Sequence, residues 1–120
     1  MPKEKQFIDF TEFPVCLWRE SAQISYLQNY IAVHSIIYYR LNESIISDHR
    51  FDFAAKQLKQ MQDDADIDTL LESRYYYAFS DFNGSTGFGL FRKLSHQDYE
   101  KFLDIAQRVL KMYKDENKKN

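Results

Sequence analysis

The sequence predicts an α+β domain that is mainly helical, built from a helix-loop-helix, one aromatic β-hairpin and an amphipathic C-terminal helix. Three observations predict it. Apolar residues recur at three-and-four spacing in several segments, the signature of helices that bury a stripe. Residues 74–82 are rich in β-forming aromatics and run into the turn signal Asn83-Gly84, after which a second short apolar run follows. The chain has 120 residues, 44% of them hydrophobic, which suffices for one core, and no Pro/Gly-rich linker divides it.

The expected single domain spans residues 7–113, with 1–6 and 115–120 as charged tails. Between residues 7 and 20 the apolar positions Phe7, Ile8, Phe10, Phe13, Val15, Leu17 and Trp18 follow no period, and Pro14 lacks the amide hydrogen a helix interior needs. That segment reads as an extended or irregular arm packed on the core. From Ser21 to Leu41 the pattern is helical. Ile24, Leu27, Ile31, His34, Tyr38 and Leu41 form one stripe and Tyr26, Tyr30, Val33 and Ile37 a second beside it, so this helix is expected to be buried on more than one side, as a central strut. His34 reads as a core histidine with a satisfied ring nitrogen.

After the polar break at 41–44, Ser47-Asp48 suits a helix N-terminus, and Phe51, Ala54, Ala55, Leu58 and Met61 share one face of a second helix ending near Asp63-Asp64. Residues 67–71 suggest a short third helix capped by Asp66 or Asp68. The hairpin is expected over 73–93, with Tyr75, Tyr77 and Phe79 on one face and Tyr76, Ala78 and Ser80 on the other. Its partner strand covers 87–92, and helices must support one side, because a two-stranded ribbon is marginal alone. The last helix is expected over 95–114. Ser95 and Asp98 have the spacing of a capping box with Asp in place of Glu, and Tyr99, Phe102, Leu103, Ala106, Val109, Leu110 and Tyr113 keep a regular apolar stripe.

A formal net charge of −2 and a pI near 5.9 lack the broad positive field that phosphate backbones favour, so nucleic acid is not the expected partner. The single cysteine, Cys16, and the three scattered histidines, His34, His49 and His96, have no zinc-ligand spacing. A reducing, cytoplasmic setting and no structural metal are expected. The charged start has no apolar signal core, and no run approaches the roughly 20 apolar residues of a membrane span. The run from Gly84 to Gly87 reads as turn chemistry, since the segment after it reads as a strand. Aromatics make up 17% of the chain and nine of them are tyrosines. Such rings pack cores, and where exposed they also serve protein-binding surfaces.

The most informative stretch is 38–52. Tyr38-Tyr39 closes the first helix, and Ile46-Ser47-Asp48-His49-Arg50-Phe51-Asp52 opens the second. This resembles the N-terminal segment of bacterial NAD-dependent DNA ligases, in which a helix ends in Tyr-Tyr or Tyr-His, a short Asp-x-Pro link follows, and Ile-x-Asp-x-x-Tyr-Asp begins the next helix. The likeness covers residues 21–63, about a third of the chain. Asn42 and Ser44 stand where that family has Asp and Pro, and Phe51 where it has Tyr. The resemblance implies a clamp for the nicotinamide mononucleotide half of NAD, with Tyr38 and Phe51 against the ring, Tyr39 as the polar aromatic, and Asp48 and Asp52 bonded to the nucleotide.

Physical chemistry of these residues agrees with such a guest. Positions 48 and 52 are four apart and share a helical face, where two carboxylates repel unless a cation or donors lie between them. A pyridinium ring with amide donors meets that need, and tyrosine faces attract cations. The plainer reading is that one aspartate caps the helix, the other is merely exposed, and Tyr38 and Phe51 pack the core. The Lys-x-Asp-Gly motif that carries adenylation in such ligases does not occur in this chain, nor does a Gly-rich phosphate loop or a Gly-x-Ser-x-Gly elbow. The expected role is therefore a non-catalytic binding module for NAD or nicotinamide mononucleotide. The alternative is a small accessory protein, of the kind mobile elements carry, that binds another protein through its aromatic surface.

Overall fold

A computed structural model of the chain describes residues 19–84 and 88–118. Among them the order is α1 (Glu20–Tyr39), α2 (Asp48–Asp64), α3 (Ile67–Glu72), α4 (Tyr76–Phe79), a 3-10 helix (Phe88–Arg92) and α5 (His96–Lys118). The arm expected over residues 7–20 lies, up to Trp18, outside the described residues, and so does Cys16.

Helix α1 is the axis on which the rest is assembled, packing against α2, α3, α4, α5 and the 3-10 helix. Its two apolar stripes are the cause. Ile24, Leu27 and Ile31 on one and Tyr30, Val33 and Ile37 on the other are all at most 2% exposed. A helix apolar on several sides is stable only when neighbours surround it. Helix α2 contributes Ala54, Ala55 and Leu58, each fully buried, so its small side chains allow a close approach to α1.

Two helix starts follow the expected chemistry. The Ser47 hydroxyl accepts from the Arg50 amide at 3.1 Å and caps α2. Asp66 Oδ1 accepts from the Thr69 amide at 2.8 Å and caps α3, a contact that holds the carboxyl below its ordinary pKa.

The hairpin does not form, and the fold is all-helical among the described residues, not α+β. Residues 76–79 make one helical turn, and 88–92 a 3-10 helix; residues 85–87 lie outside the described residues. Burial over the tyrosine run has helical, not alternating, order. Tyr75, Ala78 and Phe79 are at most 2% exposed, whereas Tyr77, which a strand would place beside Tyr75 and Phe79, is 51% exposed.

The physical reason is visible in the backbone partners. The Arg74 amide donates to Ser25 Oγ at 2.9 Å and the Tyr75 amide to Gln28 Oε1 at 3.0 Å, both on α1. The Phe79 carbonyl accepts from Gln62 Nε2 on α2 at 2.9 Å. Side chains of the long helices thus satisfy main-chain groups that a ribbon would have paired with a second strand. Strand propensity measures fit to a pleated, half-buried surface, and no such surface exists here. At Asn83-Gly84, where the hairpin turn was expected, the chain bends at Gly84. Gly84 has φ +81°, and a Cβ there would lie 2.9 Å from Lys59 Cβ, so Gly84 packs directly against α2.

Helix α5 starts where expected and continues to Lys118. Its buried stripe includes Phe102 and Ala106, and Phe102 meets Tyr75 with ring centroids 4.8 Å apart. The Ser95 hydroxyl accepts from the Asp98 amide at 3.1 Å, half of a capping box. The other half runs through Tyr77, whose hydroxyl accepts from the Ser95 amide at 3.0 Å and donates to the Asp98 carboxylate. An exposed tyrosine thereby ties α4 to the start of α5.

Candidate functional site

The site is made where α1 ends and the chain turns back. Asn42 takes a left-handed backbone with φ 55°, a conformation that Asn tolerates better than most residues. The Glu43 amide then reaches back to the Ile37 carbonyl at 3.0 Å, which folds residues 43–46 over the last turns of α1 before Ser47 starts α2. The Ser44 hydroxyl donates to the Ile46 carbonyl at 3.0 Å and stiffens this return. Ile45, 7% exposed, anchors it in the core.

Between the end of α1, this loop and the first turn of α2 lies a pocket of about 270 Å³. All five residues expected from the sequence, Tyr38, Tyr39, Asp48, Phe51 and Asp52, line it. Tyr38 is 54% exposed, so it does not belong to the core. Its ring stands edge-on to Tyr39 at 4.9 Å, and Tyr39 in turn meets Phe91 edge-on at 6.3 Å. Arg40 lies over the Phe91 ring at 4.7 Å and Phe91 contacts Tyr99, so the aromatic end of α1 is braced against the 3-10 helix and α5. Phe51 is partly buried against the core and presents its remaining surface to the pocket.

Asp48 and Asp52 are both exposed and, among the described residues, neither has an ion-pair or hydrogen-bond partner. The cap of α2 is Ser47, so neither aspartate is consumed by capping. Asp48 sits in the first turn, where the positive end of the helix dipole favours a negative charge. Glu43 also lines the pocket but is paired with Lys114 of α5 at 3.1 Å. Among the described residues no group of three or more His, Cys, Asp or Glu side chains is placed to hold a metal ion.

The inner wall holds residues that the sequence reading did not assign to the site, namely His34 and Ser35. His34 is 5% exposed, stacks at a tilt on Tyr30 with centroids 4.6 Å apart, and has its pKa lowered to about 4, first by burial and then by the nearby Arg50 charge. It is neutral at physiological pH. Burial is as expected, but among the described residues no hydrogen bond satisfies its ring. The Ser35 hydroxyl is fully buried and, among the described residues, has no hydrogen-bond partner. An unpaired buried hydroxyl costs on the order of 1–3 kcal/mol, and this one lies behind the pocket surface, closed off from its interior. The available signal for both was helical spacing, since positions 34 and 35 lie one turn before Tyr38 and share its side of α1.

No described helix is long and apolar enough to cross a membrane. Comparison with protein-family models, curated proteins and solved structures finds no match to this chain.

Proposed function

We propose that the chain is a non-catalytic binding module whose pocket receives the nicotinamide end of NAD or of nicotinamide mononucleotide. The observation that supports this most is that Tyr38, Tyr39, Asp48, Phe51 and Asp52, separated by up to fourteen positions in the sequence, line one pocket. Tyr38 and Phe51 offer apolar ring surface, and Asp48 and Asp52 offer negative charge toward a pyridinium.

The test is an amide NMR titration of the labelled protein with nicotinamide mononucleotide and with NAD, run in parallel on Asp48→Ala and Asp52→Ala. Shifts confined to residues around 34–52 and abolished by the substitutions are the expected result. A folded wild type that shows no shift at millimolar ligand refutes the reading. The second reading, a protein-binding accessory role, draws support from the exposed Phe53, Ile67, Leu71 and Tyr77. It predicts that charge substitutions at Ile67 and Leu71 abolish capture of a partner while leaving the pocket unchanged.

A further inference from the structure

The proposed nicotinamide site has a charge pattern that bears on which form of the ligand it prefers. Asp48 and Asp52 lie four residues apart on one face of α2 and line the pocket without an ion-pair partner among the described residues. Glu43 adds a third carboxylate, compensated by Lys114. A phosphate can be held at a helix N-terminus, but the start of α2 carries a negative charge of its own beside a capped amide. Ser47 takes the Arg50 amide and Asp48 places a carboxylate in the first turn. Arg50 is near enough to His34 to lower its pKa, but it does not line the pocket. The walls around the carboxylates include the rings of Tyr38, Tyr39 and Phe51. Aromatic faces and unpaired carboxylates together select an aromatic cation.

Resting on the nicotinamide reading above, we propose that the pocket prefers a phosphate-free N-substituted pyridinium, the nicotinamide nucleoside, over the corresponding mononucleotide and dinucleotide. The nucleoside keeps the ring charge that Asp48 and Asp52 attract. The mononucleotide brings a phosphate of the same sign as those carboxylates to within the reach of one ribose, where repulsion offsets the attraction. Discrimination arises from two carboxylates on exposed helical surface, so it weakens as salt screens them.

The experiment is a set of titrations of the full chain at low ionic strength with nicotinamide riboside, nicotinamide mononucleotide, NAD and neutral nicotinamide, followed by amide NMR shifts of residues 34–52. The expected result is riboside binding at least about tenfold more tightly than mononucleotide, a difference of about 1.4 kcal/mol. That ratio should shrink toward one in roughly 0.5 M salt and in Asp52→Asn, whose spectrum also reports whether it remains folded. Mononucleotide or NAD binding as tightly as riboside overturns the preference and leaves the nicotinamide site standing. Absence of shifts with all four ligands overturns the preference together with the site.

Discussion

Gln28 on α1 donates from Nε2 to Gln62 Oε1 on α2 at 3.0 Å, with both side chains buried. Around this pair the same amide of Gln28 approaches Ser73 Oγ at 3.3 Å and its oxygen accepts from the Tyr75 amide. Gln62 carries the chain of bonds on to the Phe79 carbonyl, and the Ser73 hydroxyl donates to the Leu70 carbonyl at 2.6 Å. Two glutamines therefore seat the segment from α3 to α4 against the two long helices. Gln28→Ala would leave Gln62 Oε1 and the Tyr75 amide without their partners in the interior. A loss of about 2–4 kcal/mol is expected, larger than for a single exposed bond because several buried groups are orphaned together. Urea denaturation of the two proteins measures it, and a loss below about 0.5 kcal/mol would show that the network is dispensable.

His34 makes stability depend on pH in a defined window. Its pKa is about 4 in the fold against 6.5 as the ordinary value. As pH falls from 6.5 the unfolded chain takes up the proton first, while the folded chain keeps a neutral imidazole. The stability that neutral burial provides is thus fully present above pH 6.5, is lost progressively between 6.5 and 4, and changes no further from this group below that. The window corresponds to about 3 kcal/mol. Chemical denaturation across that range should show the slope in wild type and a shallower one in His34→Gln. Equal slopes would remove His34 as the cause.

Asn42 is the one non-glycine residue with positive φ among those described, and the return loop over the pocket depends on it. Asn42→Gly should leave stability nearly unchanged, and Asn42→Val should cost about 1–2 kcal/mol, because a β-branched side chain is strained in the left-handed region. The valine variant should also weaken any ligand of the pocket, since residues 43–46 form part of its wall. Thermal unfolding of the three proteins orders them, and a valine variant as stable as wild type would contradict the strain argument.

Tyr77 joins the start of α5 to α4 through its hydroxyl alone. Tyr77→Phe keeps the ring and removes the hydroxyl's contacts with the Ser95 amide, the Ser95 hydroxyl and the Asp98 carboxylate, so it is expected to cost about 1 kcal/mol and to raise amide exchange in the first turn of α5. Hydrogen exchange read residue by residue checks this. Faster exchange spread evenly over the protein, with none localised near Ser95, would point to a general effect in place of a cap.

Gly84 is constrained twice, by its positive φ and by contact with Lys59. Gly84→Ala is expected to destabilise by about 1–2 kcal/mol. Gly89 offers a control, as a Cβ there meets nothing within 4 Å and Gly89→Ala should be nearly neutral. A calorimetric comparison in which the two substitutions cost the same would show that Gly84 does not rest on α2.

Much of this fold is written in local sequence. The start of α2 at Ser47-Asp48, its end near Asp63-Asp64 and the amphipathic stripe of α5 each depend on a few neighbouring side chains, and their spacing is enough to place them, while for α3 it narrowed the cap to Asp66 or Asp68, of which Asp66 serves. The gathering of Tyr38, Tyr39, Asp48, Phe51 and Asp52 was legible for the same reason, since two helix ends joined by a short loop cannot separate them. What tertiary structure alone decided is the conformation of residues 73–84 and 88–92 and the inner wall of the pocket. The tyrosine run has a strand's composition, but Ser25, Gln28 and Gln62, which lie far from it in the chain, take its backbone bonds and hold it in a helical turn. His34 and Ser35 look like ordinary core positions on α1. Only the return of residues 43–46 across that helix makes them the wall of a cavity, because burial beside an open pocket is set by what packs opposite and not by the helix itself.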